Sequence, residues 1–520
     1  MDRIWPDTTV EPGGLNQNIC ALRRVLGDSR HKTEYIKTIA RLGFRFLKPV
    51  KVIRGETSLV RSLAVLPLEN ISKDPAEDFF AEGMTDELSH YLMKIEALRV
   101  CSRTSVMAFK TAGKLLRQVA QELNVDWVVE GTVLRSGDRV RITVHLIDGA
   151  TERQLWAEGY EKDMHNVLAL QSEVASAIAR EIRVKLTAKD KASLAWSRPV
   201  NPEAYEAYLR GRHFWNRRTA DELKRAVKYF REAIEKDPTY APAHSGLADA
   251  YALLGSVGYD SMPPREAMPI ARASAETAIK IDDTLAEAHV SLGYVKLTYD
   301  WDWPGAEQEF RHAIELNPAY PTAHQWYAHC LMAMGQLEQA VSEMRRAVEL
   351  DPLSIPCNLG LGWSLYYLRH YDEAIEQYQK IAELAPNLPM VLYRIGLAYQ
   401  NQQRYQDALV HFEKACTLSG GEAATVMLLG HLYAVLGREQ DAHRELAKLR
   451  EMATQKYVPA LYLAFIYTGL NDKDQAFDWY RKALEERSHY MIYLQVEPSL
   501  DHLRVDPRFQ RLLRQVGLER

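Results

Sequence analysis

Three small groups of side chains in this sequence could do chemistry. His324, His329 and Cys330 lie close enough along the chain to offer nitrogen and sulfur to a metal. Glu82, Asp86 and Glu87 bring carboxylates together at near-helical spacing, as general acid and base catalysis requires. Trp301 and Trp303 flank an aspartate and could stack on a flat ligand. The elements that must carry these groups suggest plainer roles. The histidines fall on a helix where Tyr327 and Ala328 already have packing duties, so packing is the expected role there. The carboxylates read as acids at the amino-terminal end of a helix, which the dipole favours without any reaction. The tryptophans fall in an enlarged inter-helix loop, Tyr299 to Pro304, which their rings would plug. No Walker A loop, His-Glu-x-x-His, Gly-x-Ser-x-Gly or Cys-x-x-Cys occurs. The expectation is a protein that is not an enzyme and uses no cofactor and no metal.

The helix that carries the histidines belongs to a periodic pattern. Ala328, Gly362, Gly396, Gly430 and Ala464 follow one another at intervals of 34 residues. Twelve residues after each comes an alanine (Ala340, Ala374, Ala408, Ala442, Ala476), and four later a bulky apolar side chain (Met344, Tyr378, Phe412, Leu446, Tyr480). Small residues let two helices approach, and the large one fills the next gap. Pro318, Pro352 and Pro386 then stop the second helix, because proline has no N–H to continue it. One such hairpin cannot bury its apolar faces alone, so stacked copies must share a core. The pattern resembles the tetratricopeptide repeat. Fainter copies upstream include Gly211 with Phe230, Tyr251 with Ala271, and Gly293 with Phe310. They extend the expected array to about eight hairpins between Pro202 and Arg487. The resemblance implies a concave groove, lined by the first helix of each hairpin, that holds a protein or peptide.

The overall charge of -4 hides an asymmetry: residues 1–55 carry eleven Lys and Arg against five Asp and Glu, leaving the remainder at -10. A basic module on an acidic protein is expected to meet a polyanion. Five dispersed cysteines without paired spacing point to reduced thiols and a cytoplasmic protein. No apolar run reaches the roughly 18 residues needed to span a bilayer.

Within the basic module, Leu15, Ile19, Leu22 and Leu26 follow helical spacing between Gly13-Gly14 and Gly27-Asp28. Tyr35 to Ile39 and Phe44 to Leu47 alternate like strands around Ala40 to Gly43, and Gln17, Ala21 and Arg24 face away from the apolar stripe. Together with Val10-Glu11, Asn16 to Ile19 and Leu22 to Asp28, this wording resembles the winged-helix output domain of the OmpR and PhoB type, found also in CadC-like regulators. The resemblance implies that the helix enters the DNA major groove and the hairpin forms a wing. Gln17 and Ala21 then face bases, Asn18, Arg23 and Arg24 meet phosphates, and Arg41 is the wing contact. Two departures stand out: the wing tip reads Ala40-Arg41-Leu42-Gly43, and Ala21 can touch a thymine methyl but cannot hydrogen-bond a base edge. The family's leading sheet and first helix have no counterpart before Ile4 and Trp5. The expectation is a partial winged helix, from an upstream start or a naturally shortened relative.

Between module and array, Leu63 to Leu68, Leu98 to Val100, Trp127 to Val133, Arg139 to Ile147 and Arg153 to Tyr160 read as strands. Phe79 to Ala97, Leu115 to Leu123 and Val167 to Leu186 read as helices. Ala64-Val65-Leu66-Pro67, Phe80 to Leu88, Glu130 to Val133 and Leu155 to Glu158 resemble the TolB amino-terminal-like domain, a fold without an agreed activity.

The predicted architecture is multidomain and mainly α: a partial winged helix over 1–50, a linker at 51–61 and an α/β domain at 62–188. An α-solenoid at 200–487 and a carboxy-terminal cap at 488–520 complete it. The function that fits is a one-component transcription regulator binding double-stranded DNA, as a dimer if half-sites are paired, and sensing a protein or peptide partner. The alternative is a tetratricopeptide scaffold whose truncated winged helix no longer binds DNA.

Overall fold

The computed structural model describes residues 36–39, 43–46 and 61–518, apart from short stretches at 73, 96, 108, 110–114, 185, 195–198 and 257–261. The chain divides into two compact units, Met1–Leu59 and Val60–Arg520. In the first, β1 (Ile36–Ile39) and β2 (Gly43–Phe46) form an antiparallel hairpin with Ile36 opposite Phe46 and Ile39 opposite Gly43. The helix expected over 15–26 lies outside the described residues, as do Gln17, Asn18, Ala21, Arg23, Arg24 and Arg41.

The second unit begins with a mixed sheet. β3 (Arg61–Val65) lies between β5 (Leu98–Val100) and β6 (Trp127–Ser136), parallel to both. β7 (Arg139–Asp148) and β8 (Gln154–Asp163) then continue the sheet antiparallel. Alternation along β3 serves both faces of the sheet. Leu63 and Val65 enter the main core with α1 (Asp78–Met93) and α4 (Val167–Glu181). Ala64 packs behind, with Val106 of α2 (Arg103–Met107) and Val119 of α3 (Leu116–Glu122). Two elements go beyond the sequence reading. β4 (Glu69–Asn70) pairs with β6, and neither it nor α2 is among the elements expected from the sequence. Both are too short and too polar to leave an apolar period.

After α5 (Ala188–Leu194), sixteen helices among the described residues pair as eight hairpins. They are α6 (Pro202–Asn216) with α7 (Ala220–Lys236), α8 (Ala241–Leu254) with α9 (Pro264–Ile281), and α10 (Ala286–Val295) with α11 (Trp303–Leu316). Next come α12 (Pro321–Ala333) with α13 (Leu337–Leu350), α14 (Ile355–Tyr367) with α15 (Tyr371–Leu384), and α16 (Pro389–Asn401) with α17 (Tyr405–Leu418). The last are α18 (Ala423–Val435) with α19 (Glu439–Met452) and α20 (Ala460–Gly469) with α21 (Lys473–Glu485). The packing rule holds at Gly362 against Tyr378 and at Gly396 against Phe412, whereas at Gly430 the nearest side chain is Ile466 and not Leu446. Ala340, Ala374, Ala408, Ala442 and Ala476 are fully buried. A methyl placed on Gly396 would lie 2.5 Å from the Phe412 ring. α11, α13 and α15 each end two residues before Pro318, Pro352 and Pro386.

One expectation fails. The loop at Tyr299 to Pro304 is not enlarged. Second helices start at Trp303, Leu337, Tyr371, Tyr405, Glu439 and Lys473, so the spacing never slips. Lys296–Asp300 continues the first helix with wider π-type turns. Trp301 takes the same left-handed turn conformation as Gly335, Arg369, Gln403, Gly437 and Asn471 after it. A tryptophan hides the turn that glycine announces at 335 and 437.

The core does not stop between the sheet and the repeats. Leu209 of α6 packs on Gly83 of α1, and Tyr205 of α6 receives a hydrogen bond from Gln171 Nε2 of α4 at 2.8 Å. The start of α6 is capped by Asn201, whose Oδ1 accepts from Glu203 N at 3.0 Å and Ala204 N at 3.2 Å.

Candidate functional site

The period places one residue set of every first helix on the same side. Thr322, Gln325, Trp326 and His329 of α12 return on α14 as Pro356, Leu359, Gly360 and Trp363, and on α16 as Met390, Tyr393 and Arg394. Three- and four-residue steps on a helix share a face, and here that face lines a cavity of about 1480 Å³. Tyr208, Arg212 and Trp215 of α6 stand at one end, and Arg394 of α16 and Thr425 of α18 towards the other.

Helix α1 closes the first end through its carboxylates. The dipole reading of Glu82, Asp86 and Glu87 is overturned, because the helix starts at Asp78 and these residues lie further along it. They bind the repeats and α2 instead. Arg103 reaches Asp86 at 2.9 Å and Glu82 at 3.0 Å, and Glu82 also meets His213 Nδ1 at 2.9 Å. Tyr208 donates to Glu87 at 3.2 Å, and His90 pairs with Glu287 of α10 at 2.9 Å. Burial pushes the Asp86 and Glu87 carboxyls above the usual carboxylate range. Burial also works against Glu287, but the adjoining His90 and Lys94 help to hold it down to about 2. Deeper still, Asp249 of α8 lies 3.7 Å from Arg212 and accepts from Ser291, yet burial raises it to about 6. A second seam joins α2 to the α13–α14 corner, where Ser102 and Ser105 donate to the buried Asp351.

The chain's own carboxy-terminal segment closes the other side. It was expected only to cover the last hairpin. A short 3-10 helix, His489–Tyr493, instead enters the groove. Tyr493 OH lies 3.0 Å from His329 Nδ1, and its ring stands 4.8 Å from Trp363, centroid to centroid. Tyr294 OH and His489 Nδ1 are 3.1 Å apart. Burial pulls His329 down to about 3 and His489 to about 4, so both are neutral in neutral solution. Beyond them Tyr366 donates to Glu497 at 3.0 Å. The last helix, α22 (Pro507–Val516), receives the Trp303 indole N–H on Val516 O at 2.9 Å. Arg487 lies over the Trp301 ring at 4.0 Å. The two tryptophans therefore anchor the returning chain end rather than plug a wide loop.

The other histidine of the sequence-derived trio is held elsewhere. His324 Nδ1 meets Glu343 at 2.7 Å and its Nε2 meets Pro318 O at 3.0 Å. Cys330 is buried in the core. No group of three or more metal-ligating side chains gathers among the described residues. Arg394, Trp363 and the intruding tyrosines were missed. The available signal was the 34-residue register of the groove-facing positions, which passes through Trp326, Gly360 and Arg394.

Comparison with known proteins gives these features a context. Residues 59–177 match the model of the HilA/YgeH-like transcriptional regulator second domain. Tetratricopeptide repeat models match 302–356, 357–388, 389–420 and 463–490. The Salmonella typhimurium transcriptional regulator HilA is 24% identical over 351 residues, 66% of this chain and 60% of that protein. A Rhizobium meliloti (strain 1021) protein, named only provisionally as adenylate cyclase 3, is 34% identical over 231 residues, 44% of this chain and 39% of its own length. This chain thus spans less than two thirds of either relative. Among solved structures it is similar to the tetratricopeptide protein YrrB, with 21% identity, coverage of 38% and 95% of the two chains, and a TM-score of 0.27. The Cut9–Hcn1 assembly gives 18% identity, coverage of 68% and 63%, and a TM-score of 0.39. Superpositions this loose do not bear on function. The sheet region of this chain is thus similar to the second domain of HilA/YgeH-like transcriptional regulators, and the segments after it match tetratricopeptide repeats.

Proposed function

We propose that this chain is a one-component transcription regulator. Its amino-terminal module, over 1–50, reads double-stranded DNA, and the repeat array, over 200–487, senses a protein or peptide partner. The observation that carries the reading is the match of residues 59–177 to a transcriptional regulator's second domain. The hairpin of β1 and β2 fits a wing, and the local charge of +6 over residues 1–55 fits a polyanion. In this reading Gln17 and Ala21 face bases, and Asn18, Arg23, Arg24 and Arg41 hold the backbone. The α/β domain, over 62–188 and TolB-like in its resemblance, joins reader to sensor. A dimer would suit paired half-sites, and access to DNA places the protein in the cytoplasm. No described helix is long and apolar enough to cross a membrane.

The test is titration of the full chain against a mixed-sequence duplex over a salt series. Binding should weaken steeply with salt, and replacing Arg23 and Arg24 by alanine should reduce the log–log slope by about 2, one for each phosphate no longer neutralised. A chain that ignores duplex at low salt would leave the scaffold reading in possession.

A further inference from the structure

Arg394 is 91% buried (9% exposed) on the wall of the repeat cavity. Its guanidinium lies over the Trp363 ring, 4.0 Å from the centroid, and 5.6 Å from that of Tyr393. Among the described residues no carboxylate forms an ion pair with it; tyrosines dominate its surroundings, and the Tyr490 hydroxyl accepts a hydrogen bond from it. Glu497 is near enough to feel the charge, but its Oε1 already accepts from Tyr366, at 3.0 Å, and from Ser499, at 2.9 Å. A donor without a partner belongs to the ring beneath it. The indole N–H of Trp363 is shielded from solvent and has no hydrogen-bond partner. Buried arginine normally carries a carboxylate or phosphate, because a charge held away from water is costly unless it is compensated. The fold nonetheless holds this one in place, between the face of Trp363 and the 3-10 helix that brings Tyr490 and Tyr493 into the groove.

We infer that the Arg394–Trp363 corner is the seat of a small organic anion: a carboxylate or phosphate on an aromatic body, bound inside the repeat cavity. The guanidinium offers its remaining N–H groups to the oxyanion, while the face of Trp363 holds it in place. The rings of Tyr393 and Tyr490 on the same wall supply the apolar contact. A volume of about 1480 Å³ leaves ample room for such a molecule. The histidines nearby are held neutral by burial and do not compete for the anion at this corner, while the cavity's other cations, such as Arg212, line its opposite end. The inference takes the cavity to be a ligand site, as the sensing role does, and is independent of whether the amino-terminal module binds DNA.

The experiment uses the full chain and three probes: 2-naphthoate, 2-naphthyl phosphate, and the uncharged 2-naphthalenemethanol, each titrated with tryptophan fluorescence and calorimetry as readouts. At least one anion should bind saturably and at least ten-fold more tightly than the alcohol. Carboxylate and phosphate are told apart by which anion binds better. In R394M the advantage of the anion should vanish, in W363F it should shrink several-fold, and in the remote exposed variant R481Q it should persist. Three outcomes overturn the proposal: no saturable binding by either anion up to millimolar concentration, equal binding of anion and alcohol, or unchanged discrimination in R394M. Should R394M fail to fold, the comparison of anion with alcohol on the wild-type chain decides the matter.

Discussion

His489 and His329 do opposite work to their usual role as proton acceptors. Each is neutral because the cavity wall and the returning chain end remove it from water. The unfolded chain holds such a histidine near its ordinary value of about 6.5, so acidification protonates the unfolded form first. The stability contributed by a neutral His489 is therefore complete above pH 6.5 and is lost as pH falls towards 4. For one group with this depression the loss is on the order of 3 kcal/mol. H489Q keeps a hydrogen-bonding side chain for Tyr294 but cannot titrate. In urea unfolding at several pH values, the stability gap between wild type and H489Q should shift against wild type between pH 6.5 and 4. Parallel profiles would show that His489 takes up its proton as readily in the folded protein as in the unfolded chain.

Among elements, the hairpin repeat was the most legible part of the fold, because its packing rule uses residue size at fixed intervals. Gly396 and Phe412 are a lock whose two halves appear in the sequence sixteen residues apart. G396A should cost about 1–3 kcal/mol, since the ring must leave its place, as a fall in the denaturation midpoint would show. What could not be read shares a different physics. The left-handed turn at 301 carries tryptophan, and those at 369 and 403 carry arginine and glutamine, residues that give no turn signal. The carboxylates of α1 looked like helix-end acids because their partners, Arg103, His213 and Tyr208, come from other elements. The cavity's wall positions were periodic and readable, whereas the chain end that crosses it left no local pattern.

At the scale of the whole unit, the sheet, the repeats and the chain end depend on one another. α1 covers one end of the groove with ion pairs, and His489–Tyr493 fills part of its length. Removing the chain beyond Arg487 should uncover Trp363, Tyr367 and the last hairpin together. The shortened protein should bind more of an uncharged hydrophobic dye than the full chain does, and should lose amide protection first in α10 to α14, far from the cut.

The bond from Trp303 to Val516 spans 213 residues. A stack of repeats touching only neighbours frays from its ends, each hairpin melting at its own free energy. Fastening the third hairpin to the final helix removes one of those free ends and turns a chain of pairwise couplings into a closed circuit. Such an array has no outermost hairpin in its later half to melt first. Its five or six carboxy-terminal repeats should open as one cooperative block, with amide exchange rates that converge on a single value, and W303F should split that value into a gradient.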